Sequence, residues 1–240
     1  RQHTATQIKT AGTNNLLLTM HVSGLLTVGN TLLAGISFDN TGTTTPTVSS
    51  IAKPGGETNS WVKLGSVDSP QSGSAAAMRG EIWGITTTVD WPDSTTYAVT
   101  LSASVTAKVS VFNEFSPALD LASVVEVISD SATASGALSA TFTAKSAANM
   151  GYGFVAQEDP SVPIAGCTAA GANNTTGGSG VTNLGIKGSQ DVTGSSGAVS
   201  LTGTGVSDSI LLAVELAEAG GGPVQYAASG TVVVTSVATG

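Results

Sequence analysis

The run Met78-Arg79-Gly80-Glu81-Ile82-Trp83-Gly84-Ile85 alternates with a period of two. Met78, Gly80, Ile82 and Gly84 fall on one side, and Arg79, Glu81, Trp83 and Ile85 on the other. Successive side chains of an extended chain point to opposite faces, so the pattern predicts a strand rather than a helix. Working outward, residues 97–101 group Tyr97, Val99 and Leu101. Residues 109–115 group Val109, Val111 and Phe115, with Asn113 as the polar exception, and 210–216 group Ile210, Leu212, Val214 and Leu216. Further strands are expected over 16–22, 31–38, 47–52, 60–67, 123–128, 137–143, 150–156, 181–186, 197–203 and 231–237. Many short β-rich runs separated by Gly, Ser, Thr and Asn predict an all-β chain: an antiparallel β-sandwich, jelly-roll-like.

One stretch reads two ways. Ser116-Pro117 has the form of a helix N-cap with Pro at the first helical position, and Leu121, Val124, Val125 and Ile128 follow at helical spacing. The run SVVEVI within it is β-branched and equally good strand, so a short turn and then a strand is expected.

The chain echoes itself. AVTLSASV at 98–105 resembles AVSLTGTGV at 198–206, and NEF at 113–115 is matched by VEL at 214–216. TLLAGISFD (31–39) is loosely matched by NMGYGFVAQED (149–159). The expected organisation is a sandwich over 1–219 with two similar halves, about 14–117 and 133–217. A Gly-rich hinge and a terminal strand follow at 220–240, either as an extra strand or as the start of a further domain. In that tail Thr231, Val232, Val233 and Val234 are the expected assembly strand, because a lone strand must pair to satisfy its backbone groups.

Charged residues make up only 10% of the 240, against 40% hydrophobic, so Ser, Thr, Asn and Gly carry the polar surface. Eight Lys and Arg against sixteen Asp and Glu leave a formal charge of −8, with no basic cluster for a phosphate backbone or an anionic membrane. Neither nucleic acid nor membrane is an expected partner, and no run of apolar residues reaches the length of a membrane-spanning helix. The sequence shows no basic-then-apolar leader. Its opening at Arg1 marks an expected processed product, or part of something longer. A lone Cys167 with no neighbouring base reads as a structural thiol.

The order TLLAGISFDNTG…TPTVSSIAKPGGETNSWVKLGSV (31–67), EIWGI (81–85) and AVTLS…VSVFNEFS (98–116) resembles a jelly-roll module of phage minor tail and head-surface proteins and of some secreted bacterial proteins. Gly55, Gly56, Asn59, Trp61, Ile82, Trp83, Glu114 and Phe115 fill the positions that carry the likeness, while Lys53-Pro54 replace the module's usual Asp. The resemblance implies an adhesive or structural role. Together with the low charge, the Thr, Ser and Gly surface and the unpaired terminal strand, it leads to the expectation of a virion structural protein: a capsid decoration or head fibre, or a minor tail component. It would be displayed on the particle surface, contacting other virion proteins and copies of itself. No catalytic residue, cofactor or metal is implied.

Weighing single residues leaves a carbohydrate-binding adhesion module as the second reading. Trp61 alternates with Lys63, and Trp83 with Arg79 and Glu81, so both indoles are expected near polar groups, suited to a host glycan or a protein partner. The plain alternative is that both rings cap the sandwich core at its edge. A third reading, glycoside hydrolysis, needs Glu114 and Glu215 brought face to face, whereas each is expected on the outer face of its strand. His3, near an expected loose terminus, and His21 have no acid or nucleophile pattern beside them, and no nucleophile elbow or phosphate loop occurs. Asp39-Asn40 and Glu158-Asp159 read as solvated turns rather than a calcium site. Asn173 and Asn174 each open an Asn-x-Thr match.

Overall fold

A computed structural model describes residues 4–10, 15–20, 26–39, 45–69, 78–92, 95–105, 107–133, 135–158, 174–175, 184–192, 194–205 and 208–220. These residues form fifteen strands and no helix. The first half of the fold holds β1 (Thr4–Thr10), β2 (Asn15–Met20), β3 (Thr31–Asp39), β4 (Val48–Ile51), β5 (Val62–Asp68), β6 (Arg79–Thr86), β7 (Thr95–Leu101) and β8 (Ala107–Phe115). The second holds β9 (Leu119–Ala132), β10 (Gly136–Lys145), β11 (Met150–Glu158), β12 (Asn174–Thr175), β13 (Leu184–Val192), β14 (Gly197–Gly205) and β15 (Ser209–Glu218). The all-β sandwich architecture is therefore present, and the ambiguous stretch after Pro117 is a strand.

Four sheets result, in the orders β1-β8-β3-β6-β5, β2-β7-β4, β12-β13-β11-β15-β9 and β10-β14, with every pairing antiparallel. In the first half, β1-β8-β3-β6 opposite β2-β7-β4 is the strand order of a jelly roll, with β5 added beside β6. The large sheet of the second half repeats that order, with β9, β15, β11, β13 and β12 standing where β1, β8, β3, β6 and β5 stand. The pair β10-β14 corresponds to β2-β7. Strand β9 lies in this second sheet, so the turn at Ser116 and Pro117 joins two repeats of one topology.

Apolar packing orders the sheets as four layers. Leu32, Ala34, Ile36 and Phe38 of β3 meet Val48, Ile51, Val99 and Leu101 of the three-stranded sheet. The other face of the same strand, through Leu33, joins Ile82, Val109, Val111 and Phe115 against Tyr152, Phe154, Leu212 and Val214 of the second half. Val155, Leu211 and Ala213, on the far side of those strands, pack on Leu138, Phe142 and Leu201. Both large sheets are thus covered on both faces, and β3, β8 and all but the end of β15 are buried at every position.

The alternation in β6 is real, but neither of its faces is solvent. Gly80, Ile82 and Gly84 face the second half, while Glu81, Trp83 and Ile85 face the first sandwich's own core. Close approach explains the glycines. A Cβ on Gly35 would lie 2.6 Å from the Phe154 ring, and one on Gly80 would strike Ile210. Tyr152 adds a polar contact across the same interface by donating from its hydroxyl to Asn113 Oδ1 at 3.3 Å, with its ring edge-on to Phe115.

The amino-terminal stretch differs from expectation. Thr4–Thr10 pairs along β8 as an ordered edge strand rather than a loose end. Residues 221–240, including Thr231, Val232, Val233 and Val234, lie outside the described residues, as do His3, His21 and Cys167.

A branched side chain at Gly80 has no room between the sheets. Gly80→Val is expected to cost about 1–3 kcal/mol by overpacking, and Ile210→Val in the same chain to recover part of it. Urea unfolding of the two single variants and the double variant measures this. An unchanged midpoint in Gly80→Val would show that the sheets do not touch there.

Candidate functional site

The loop that carries the chain from β4 in the small sheet to β5 in the large one turns at Gly55-Gly56, where Gly56 has φ 89°, a left-handed backbone that suits glycine. Next to it, Glu57 points inward. Its carboxylate accepts hydrogen bonds from the backbone N–H of Asn59 (2.9 Å) and Thr88 (2.9 Å), the Thr88 hydroxyl (2.6 Å) and the Trp91 indole (3.2 Å). Burial pushes the Glu57 pKa up. The hydrogen bonds from Thr88, Asn59 and Trp91 outweigh that and hold it at about 2. The Trp91 ring anchored in this way supports Trp61 edge-on at 6.0 Å, with Phe112 at 6.3 Å on another side.

Trp83 is fixed by a second carboxylate. Its indole donates to Glu81 Oε2 at 2.8 Å, and Glu81 also holds Arg79 Nε at 2.7 Å and Lys63 Nζ at 3.2 Å. Arg79 in turn grips both oxygens of Asp68 at 2.8 and 2.9 Å. Burial works against the Arg79 charge, but its bonds to Glu81 and Asp68 raise the guanidinium pKa further. From the sequence, Arg79 and Glu81 are expected beside Trp61 and Trp83 as glycan or partner contacts. The structure makes Glu81 a fully buried anchor and Arg79 its partner, because the face of β6 that carries them lines the core. Trp61 and Trp83 are brought together as half-buried rings at the rim of that core.

Beside them lies a groove of about 200 Å³, walled by Ser49, Ser50, Lys53, Ser60, Trp61 and Trp83. Ser60 also borders a second groove of about 440 Å³, with Asn59, Val62, Thr86, Leu121 and Ala122. Ser49, Ser50, Lys53 and Ser60 are exposed. The Lys53 ammonium donates to the Asn59 carbonyl. The Trp61 indole N–H is shielded from solvent and has no acceptor among the described residues.

The two glutamates that could have formed a hydrolytic pair stand apart, and neither lies on an outer face. Glu114 is buried within the first sandwich, accepting from Thr27 N–H and Asn30 Nδ2, both at 2.8 Å. Glu215 is buried within the second, accepting from Ser146 N–H at 3.0 Å and Asn149 Nδ2 at 2.6 Å. Each closes the turn leading into the neighbouring strand: Thr27 to Asn30 before β3, and Ser146 to Asn149 before β11. The two sites are repeats of one structural lock, on opposite sides of the central interface.

Lys53 was noted in the sequence only as a departure from the module, and Glu57, Trp91, Ser49, Ser50 and Ser60 were not singled out. The short distance of Glu57 from Gly56 and Trp61 was the available signal. Among the described residues no cluster of three or more His, Cys, Asp or Glu occurs. Asp39 is buried at the end of β3 rather than in a solvated turn. Asn40, Asp159 and Asn173 lie outside the described residues. Comparison of the chain with protein-family models, curated proteins and solved structures finds no match to any of them.

The Glu57 pKa is lower in the folded chain than the ordinary 4.5, so its contribution is complete above about pH 4.5 and is lost as pH falls toward about 2. Removing it is expected to cost on the order of 2 kcal/mol at neutral pH, because buried donors lose their acceptor. Thermal unfolding of Glu57→Gln from pH 7 to pH 2 tests this. The gap in melting temperature between parent and variant should close over the acid range, and a constant gap would refute the assignment.

Proposed function

We propose that the chain is a non-enzymatic structural protein of a bacteriophage particle, displayed on the virion surface as a capsid decoration, head-fibre or minor tail component. The carrying observation is the architecture: two jelly rolls packed back to back through an apolar interface. The jelly roll is a recurrent fold of viral capsid and lectin domains, and the reading rests on that analogy together with the sequence resemblance. The chemistry of the interior supports the same reading. Glu57, Glu81, Glu114 and Glu215 each accept hydrogen bonds that hold a turn or a ring in place. A charge-poor Ser, Thr and Gly surface with net charge −8 suits contact with other virion proteins and further copies of the chain, and is poor for nucleic acid.

Gold-labelled antibody against the chain, applied to purified particles and viewed by electron microscopy, tests the proposal. Label repeating at fixed places on heads or tails is expected. Washed particles free of label, with the chain left in the soluble fraction, would overturn it.

A further inference from the structure

We propose that the groove beside Trp61 and Trp83, continued at Ser60 into the larger groove, binds a neutral oligosaccharide, stacked on the indoles and hydrogen-bonded by Ser49, Ser50 and Ser60. This inference stands whether or not the chain belongs to a virion. Sugar rings present C–H faces that pack on aromatic rings and hydroxyl edges that need donors and acceptors. The groove offers both at once: two half-buried indoles and three exposed serines around about 200 Å³.

Both rings are held before any ligand arrives. Trp83 is tied to Glu81, which Arg79 and Lys63 hold in turn, and Trp61 rests on Trp91 and Phe112. A platform with fixed rotamers loses little side-chain entropy on binding, which is what a weak stacking ligand requires.

Charge selects the ligand class. Lys63 is paired with Glu81, and Lys53, bound to the neutral Asn59 carbonyl, leaves a single positive charge among three hydroxyls, too little to select an acidic ligand. Ser60 belongs to both grooves, so a chain of sugars can pass over it into the larger space of about 440 Å³. That volume lies within the usual range of small-molecule sites.

The test uses the full chain on an array of neutral and acidic glycans, followed by calorimetric titration with the neutral oligosaccharide that gives the strongest signal. Two variants are titrated beside it, Trp83→Ala and Ser49→Ala/Ser50→Ala. The serine pair is exposed and leaves the core untouched, so it keeps the test open if the tryptophan variant fails to fold. Binding of neutral glycans is expected, weakened about tenfold or more in Trp83→Ala and by a smaller factor in the serine pair. A blank array, binding confined to acidic glycans, or affinity unchanged in every variant that folds would overturn the proposal.

Discussion

The contact between the two large sheets governs the rest of this molecule. Each sheet is apolar on both faces, so neither sandwich alone has a solvent-compatible exterior on the side of Leu33, Ile82 and Val111 or of Phe154, Leu212 and Val214. Burying those side chains against each other satisfies both halves in one step, at roughly 25 cal/mol for each Å² of apolar surface removed from water. The close approach demands backbone without side chains where Phe154 and Ile210 enter, and glycines of β3 and β6 meet that demand. The tryptophan groove lies outside this stack, between β4, β6 and the loop that joins β4 to β5.

With hydrophobic contact setting the stacking, buried carboxylates set the local geometry. Glu114 and Glu215 do the same task at equivalent places, each satisfying a backbone N–H and an Asn side chain in the turn that starts the central strand. Glu57 performs a related task in the loop from β4 to β5 and thereby orients Trp91, on which Trp61 leans. The polar interior and the surface groove are therefore mechanically continuous: a carboxylate buried among hydroxyls fixes an indole at the rim.

Strands with large apolar residues at alternate positions, such as 97–101 and 210–216, were legible directly. Strand β1 was not: TATQIKT carries a single large apolar residue, and it is defined by its pairing along β8, a long-range partner that no local pattern reveals. Alternation in 78–85 predicted the strand but misassigned its surroundings. Period two separates the faces of a strand without saying that a second sheet covers each of them. Arg79, Glu81 and Trp83 make one face look polar in sequence. In the fold, Glu81 is neutralised by Lys63 and Arg79, partners on an adjacent strand and two residues away, so a charged residue lies in the core. The tryptophans themselves were visible, whereas the serines beside them gave no signal, because only the path of the loop from β4 to β5 brings Ser49 and Ser60 to one wall. The echo between the halves was legible in sequence and is matched in strand order. Asn30 and Asn149 align it, placing Thr31–Asp39 on Met150–Glu158.

That alignment puts Gly35 opposite its own counterpart. Residue 35 of the first half corresponds to residue 154 of the second, and the two touch: the Phe154 ring lies where a Gly35 side chain would be. The near-symmetric interface is therefore a lock and key at one of its own equivalent positions. Two copies of the first half, mated the same way, would face glycine with glycine and leave a hole. Two copies of the second would press ring on ring. Only the unlike pair closes. Tethering the halves in one chain guarantees that encounter at a one-to-one ratio.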